Sequence, residues 1–228
     1  MKSQDPPIEL LQPIVNLFTN GKLQQALSET RQLLEKFPNS VILCNISGAS
    51  SAGLMQFDEA INSYKKALAI KPDYTEAYYN MGIALRNKGD IEAAIDSYKK
   101  ALEIKPDYFE VYFNMGNIFK EKGDIEAAIN SYKKALAIKP DYTEAYNNMG
   151  IAYSDKGDFE AAIDSYKRAL EIKNDYAEAK ENLVSLMTSY SPQKENSNLI
   201  VKANEEIRKI RIKGNISKII SDDQVVNL

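Results

Sequence analysis

Between Thr75 and Tyr176 apolar and polar positions follow one figure that returns every 34 residues. In the copy Thr75–Tyr108, Tyr78, Met81 and Leu85, with the small Ala77 and Gly82, fall on one helical stripe. Past Gly89, Ile91, Ala94, Ile95, Tyr98, Ala101 and Leu102 form a second stripe. Apolar positions at i, i+3, i+4 and i+7 predict two amphipathic helices per copy. The punctuation agrees. Gly89, Gly123 and Gly157 stand where a first helix ends and the backbone turns left-handed. Asp90, Asp124 and Asp158 then offer an N-cap to the second helix. Pro72, Pro106 and Pro140 close that helix, with Asn174 in the next such place. Asp73…Glu76 reads as a capping box and recurs as Asp107…Glu110, Asp141…Glu144 and Asp175…Glu178.

A period of this size makes the chain an array of one small unit, each copy burying its apolar face against its neighbours. Weaker copies extend the phase. Residues 41–74 keep Gly48, Ala60, Tyr64, Ala67 and Pro72 but put Ser47 where the others carry methionine. Residues 7–40 keep only Gly21, Ala26 and Pro38 and read as a divergent first copy. Residues 177–190 begin one more first helix, which breaks at Ser191-Pro192 and reads as a capping helix. The expected organisation is an N-terminal extension over 1–6 and an array over 7–190 (copies 7–40, 41–74, 75–108, 109–142 and 143–176, then the cap). Residues 191–228 form a tail. A second periodicity lies above the first: residues 61–108 and 129–176 differ at few places, among them Tyr79/Asn147, Leu85/Tyr153 and Arg86/Ser154.

Tyr78-x2-Met81-Gly82-x2-Leu85, followed by Ala94-x3-Tyr98, Ala101 and Pro106, resembles the tetratricopeptide repeat pattern. Tyr112, Met115, Gly116, Phe119, Ala128, Tyr132, Ala135 and Pro140 match it again, as do Tyr146, Met149, Gly150, Tyr153, Ala162, Tyr166 and Ala169. The resemblance implies an all-α, right-handed solenoid of helix-turn-helix repeats whose first helices line a concave groove, and a role in binding protein or peptide partners there.

On that groove the repeat predicts a ladder of asparagines, Asn80, Asn114, Asn148 and Asn182. Asparagine is a mediocre helix former, and its amide both donates to and accepts from an extended peptide backbone. Similar ladders hold peptide main chains in O-linked N-acetylglucosamine transferases. The alternative is that these amides bond neighbouring helices or water. Ile46 interrupts the ladder in the copy 41–74. Beside it Tyr79, Phe113 and Asn147, then Asn117, then Arg86 and Lys120, complete the candidate peptide-binding set, with the aromatics expected to be exposed as binding surfaces prefer. Repeats that clamp a chaperone's C-terminal carboxylate use lysine or arginine early in the first helix. Here Glu76, Glu110 and Glu144 stand at those places and would repel it.

Composition removes whole classes of chemistry. There is no histidine, hence no His-based general base, triad or metal ligand. Cys44 is the single cysteine and reads as a buried apolar residue. No catalytic residue, metal site or cofactor is expected. A net charge of −3 offers no footprint for nucleic acid or anionic membrane. No secretory signal is legible, so the cytoplasm is the default compartment. The paired lysines Lys65-Lys66, Lys99-Lys100 and Lys133-Lys134 read as a solvated face, with Asp96–Lys100 and Asp164–Arg168 as i, i+4 ion pairs. In the tail, Leu199–Ile212 carries Ile200, Ala203, Ile207 and Ile210 on one side of a short amphipathic helix. The leading expectation is a non-enzymatic protein-interaction scaffold. Two alternatives stand beside it: a non-catalytic recruiting module at the front of a larger enzyme such as a glycosyltransferase, sulfotransferase or oxygenase, and a self-assembling module that uses its tail.

Overall fold

The computed structural model describes residues 5–189; the tail, and the amphipathic helix expected in it, lie outside the described residues. Eleven α-helices and no strands make up the described part: α1 (Ile8–Thr19), α2 (Leu23–Lys36), α3 (Val41–Gly53), α4 (Phe57–Ile70), α5 (Thr75–Lys88), α6 (Ile91–Ile104), α7 (Phe109–Glu121), α8 (Ile125–Ile138), α9 (Thr143–Lys156), α10 (Phe159–Ile172) and α11 (Ala177–Ser189). They are the paired helices of an all-α helical-repeat solenoid. The chain divides into two compact units, Met1–Val111 and Tyr112–Leu228. In the first, α3 packs on α4 and α5 on α6, while α2 meets α3 and α4 meets α5. In the second, α9 lies between α8 and α10, and α10 also carries α11.

Each pair closes on a tyrosine set against a glycine. Tyr64, Tyr98, Tyr132 and Tyr166 are buried, as expected of packing residues. Their rings press on Gly48, Gly82, Gly116 and Gly150 of the partner helix, where even a Cβ would come within 2.6 Å of ring carbon. Ala60, Ala94, Ala128 and Ala162 supply the other close approach and have no exposed surface. Burying each aromatic contributes about 2–3 kcal/mol. Cys44 is buried too, and burial pushes its thiol up from the ordinary value.

The turns follow one design. Gly89 adopts φ +98°, its N–H donates to Arg86 O at 3.0 Å, and Asp90 N–H donates to Leu85 O at 2.9 Å. Gly123 and Gly157 repeat the geometry at φ +80° and +83°. In the copy 41–74 the same pair of bonds forms, Met55 N–H to Ala52 O and Gln56 N–H to Ser51 O, but a methionine at φ +61° makes them. A left-handed Cβ costs about 1–2 kcal/mol, and Met55 is 76% exposed, so side-chain packing does not offset it. Met55→Gly is therefore expected to raise stability by about 0.5–1 kcal/mol after the extra backbone entropy of glycine. Chemical denaturation reads this directly; a lower midpoint would refute it.

Capping departs from expectation in two places. Asp124 and Asp158 cap α8 and α10, accepting from Ala127 N–H at 3.1 Å and Ala161 N–H at 3.2 Å. Asp90 makes no such bond and instead lies 3.4 Å from the Lys88 ammonium, which also reaches Asp58 at 2.7 Å. The capping box fails at α5 and α9. Their N-caps are Tyr74 and Tyr142, without a side-chain cap, and Asp73 and Asp141 stand one residue too early. The tyrosine wins the position because its ring is partly buried, with Lys71 and Lys139 at 5.4 and 5.2 Å from the ring centres. Glu76 and Glu144 are left to complement the positive helix end. The expected i, i+4 ion pairs also give way to other partners: Asp96 lies 3.8 Å from Lys99, Arg168 bonds Glu171 at 2.8 Å, and Lys100 lies over the Tyr78 ring.

Candidate functional site

The candidate residues occur at spacing i, i+1, i+4 and i+7 along the first helices. They are Tyr79, Asn80, Ile83 and Arg86 on α5; Phe113, Asn114, Asn117 and Lys120 on α7; Asn147, Asn148, Ile151 and Ser154 on α9; and Asn182 on α11. All but Asn147 are half-buried. Helical geometry puts such positions on one face, and the structure joins several of them.

In the first unit, Asn80 Nδ2 donates to Asn45 Oδ1 at 3.3 Å, tying α5 to α3. Ile46, which interrupts the ladder, packs into the apolar cluster of Leu11, Ile14, Ala26 and Leu43. The amide has moved one place, to Asn45. Tyr79 sits between two other phenols, its ring centre 4.9 Å from that of Tyr108 and 6.2 Å from that of Tyr98. Burial raises the pKa of Tyr98 and Tyr108, with the neighbouring Tyr79 adding to it. The Tyr98 hydroxyl is buried and has no hydrogen-bond partner.

The second unit holds a continuous network. Asn182 Nδ2 donates to Asn147 Oδ1 at 3.0 Å, Asn147 Nδ2 to Asn148 Oδ1 at 3.3 Å, and Asn148 Nδ2 to Asn117 Oδ1 at 2.9 Å. Tyr132 closes it by donating its hydroxyl to the same Asn117 oxygen at 2.8 Å. Three successive first helices, α7, α9 and α11, are thus joined through side-chain amides. The Asn117 amide nitrogen and the Asn182 amide oxygen take no part in this network.

Against expectation, the aromatics are not exposed. Phe113 packs between Tyr132 and Tyr142, with ring centres 5.9 and 4.9 Å away, as Tyr79 does between its own pair. In α5 and α7 the residue after the recurrent tyrosine packs on the following linker tyrosine, so an aromatic there is drawn toward the core. Asn147, at the same position, is only 4% exposed and serves the network. Asn45 and the Tyr132 hydroxyl are absent from the expected set. A signal for Asn45 was present: it precedes Asn80 by 35 residues, as Asn147 precedes Asn182. Among the described residues no cluster of three or more Cys, Asp or Glu side chains is arranged to hold a metal, and no helix is long and apolar enough to cross a membrane.

The sequence matches the TPR repeat family over residues 56–87, 84–123 and 116–157, and the tetratricopeptide repeat over 143–176. Among curated proteins it is similar to the peroxisomal targeting signal receptor of Kluyveromyces lactis, 37% identical over 86 residues, which is 37% of this chain and 15% of the receptor. It is also similar to a probable biofilm formation methyltransferase of Pseudomonas putida, 32% identical over 89 residues, 39% of this chain and 21% of that protein. The chain thus spans a small fraction of the length of these relatives. Of solved structures, MamA superposes with a TM-score of 0.65 at 30% identity, covering 71% of this chain and 95% of MamA. The C-terminal part of a TPR repeat-containing protein from Cytophaga hutchinsonii gives 0.75 at 20% identity, over 89% of this chain and 80% of that one. With the paired helices, the glycine-tyrosine contacts and the family matches in one phase, the chain belongs to the tetratricopeptide repeat family and is a protein-interaction scaffold.

Proposed function

We propose that the scaffold binds an extended peptide along its first helices, with the asparagine network of the second unit reading the peptide main chain. The observation that carries this is Asn117. Its oxygen accepts from both Asn148 and Tyr132, which fixes the amide plane while its nitrogen keeps its N–H groups for a ligand. A held amide loses little entropy on binding. Asn182 presents the complementary acceptor, since its nitrogen is committed to Asn147. Donor and acceptor in one row suit a backbone that offers both in alternation. Asn80 and Asn114 are the corresponding candidates on α5 and α7, with Tyr79, Phe113, Arg86 and Lys120 beside them and Asn147 in support.

The test is selection of binding peptides from a displayed random library, followed by titration of the best one against Asn117→Ala and Asn182→Ala. Each lost hydrogen bond is expected to weaken binding about fivefold to tenfold. Unchanged affinity in both variants, with helicity retained, would sink the reading. A second reading, a recruiting module that works beside an enzyme, draws support from the methyltransferase relative, in which the matched repeats are a minor part of the protein.

A further inference from the structure

The first helix leaves large apolar side chains exposed beside its buried stripe. Ile8 is 64% and Leu10 43% exposed, and Val15 is exposed as well, while Leu11 and Ile14 on the same helix are buried. Glu9, Gln12, Asn16 and Thr19 give the helix the outward polar face that terminal repeats ordinarily carry. Ile8 and Leu10 stand on opposite flanks of the buried stripe, and Leu10 is the one that lies toward α2.

Between α1 and α2 lies a cleft of about 390 Å³. Leu10, Pro13, Ile14 and Leu33 give it an apolar lining, and Glu9 and Glu29 add negative charge against the one lysine, Lys36. Pro13 sharpens this. Having no N–H, it returns no helical hydrogen bond to the Glu9 carbonyl, so a backbone acceptor stays open beside the Glu9 carboxylate. The cleft therefore asks for an amphipathic segment with cationic side chains.

One segment of this chain has that chemistry. Residues 199–213 place Ile200, Ala203, Ile207 and Ile210 at helical spacing and carry five basic and two acidic side chains. We propose that residues 199–213 of a second copy dock on α1 and α2, apolar side against Leu10 and Leu33 and basic side against Glu9 and Glu29, joining copies of the protein tail to head. This interface is separate from the peptide row and does not depend on it.

The test is sedimentation equilibrium of the full chain from micromolar to near-millimolar concentration, with Leu10→Lys and Ile207→Lys as separate variants. Leu10 is 43% exposed and Ile207 lies outside the repeats, so both variants should keep the wild-type melting curve. The expected result is a wild-type mass that at least doubles with concentration and falls back with added salt, and a constant monomer mass for each variant. A wild-type monomer throughout, an oligomer that survives both substitutions, or one lost through only one of them would overturn the proposal.

Discussion

Replacing Gly82 with alanine is expected to cost about 2 kcal/mol of stability, although alanine is the better helix former by about 1 kcal/mol. The added Cβ would stand 2.4 Å from Tyr98 Cε1, 2.7 Å from Cδ1 and 3.0 Å from Cζ. Tyr98 is fully buried, so its ring has no solvent to swing into, and α5 and α6 must part instead. Removing the hydroxyl would not help, because the clash is with ring carbons. Shortening the side chain would: Gly82→Ala with Tyr98→Leu should lose less than the sum of the two single changes. Urea denaturation of the three variants checks this, and strict additivity would remove the steric explanation. Gly89→Ala makes an instructive contrast. Nothing lies within 4 Å of its Cβ, so only the left-handed backbone at φ +98° resists the change.

Asn117→Ile is the second large effect, with an expected loss of about 2–4 kcal/mol. It is a substitution the protein itself suggests, since Ile83 and Ile151 occupy the equivalent positions. At 117 it would remove the acceptor shared by the Tyr132 hydroxyl and one donor of Asn148. Each buried group deprived of its partner costs about 1–3 kcal/mol. The converse is equally specific. At the equivalent place in α6 the hydroxyl of Tyr98 bonds nothing, and the position matching Asn117 holds Ile83. Tyr98→Phe should thus be neutral or stabilising by up to about 1 kcal/mol, while Tyr132→Phe loses about that much. Equal losses for the two phenylalanine variants would show that the Asn117 bond contributes nothing to stability.

The fold was legible because its determinants are local and repeated. The 34-residue return of Gly82 and Tyr98 states which helices approach closely, and the left-handed glycines mark where they turn. The site was legible only in outline, for two physical reasons. First, a face was assigned by helical phase, but phase does not tell which neighbour lies against it. Tyr79 and Phe113 are on the expected face yet are half-buried, because Tyr108 and Tyr142 of the next linker pack on them. Second, hydrogen bonds between amides depend on the offset between successive first helices. That offset joins Asn45 to Asn80 and Asn147 to Asn182. The capping boxes failed for a similar reason: spacing was right, but a tyrosine needed for packing took the cap.

The difference between Tyr79 and Asn147 bears on assembly of the chain during folding. Residues 61–108 and 129–176 are close enough in sequence to accept each other's neighbours, and misassembly of like modules is a characteristic failure of repeat proteins. Helix α11 offers Asn182, which finds an amide at Asn147 and would meet a phenol at Tyr79. Docking at the Tyr79 face would forfeit that bond and deprive the buried Asn147 oxygen of its donor, whereas the shared apolar contacts would tolerate it. Two nearly interchangeable blocks thus differ by one polar contact that favours the native order.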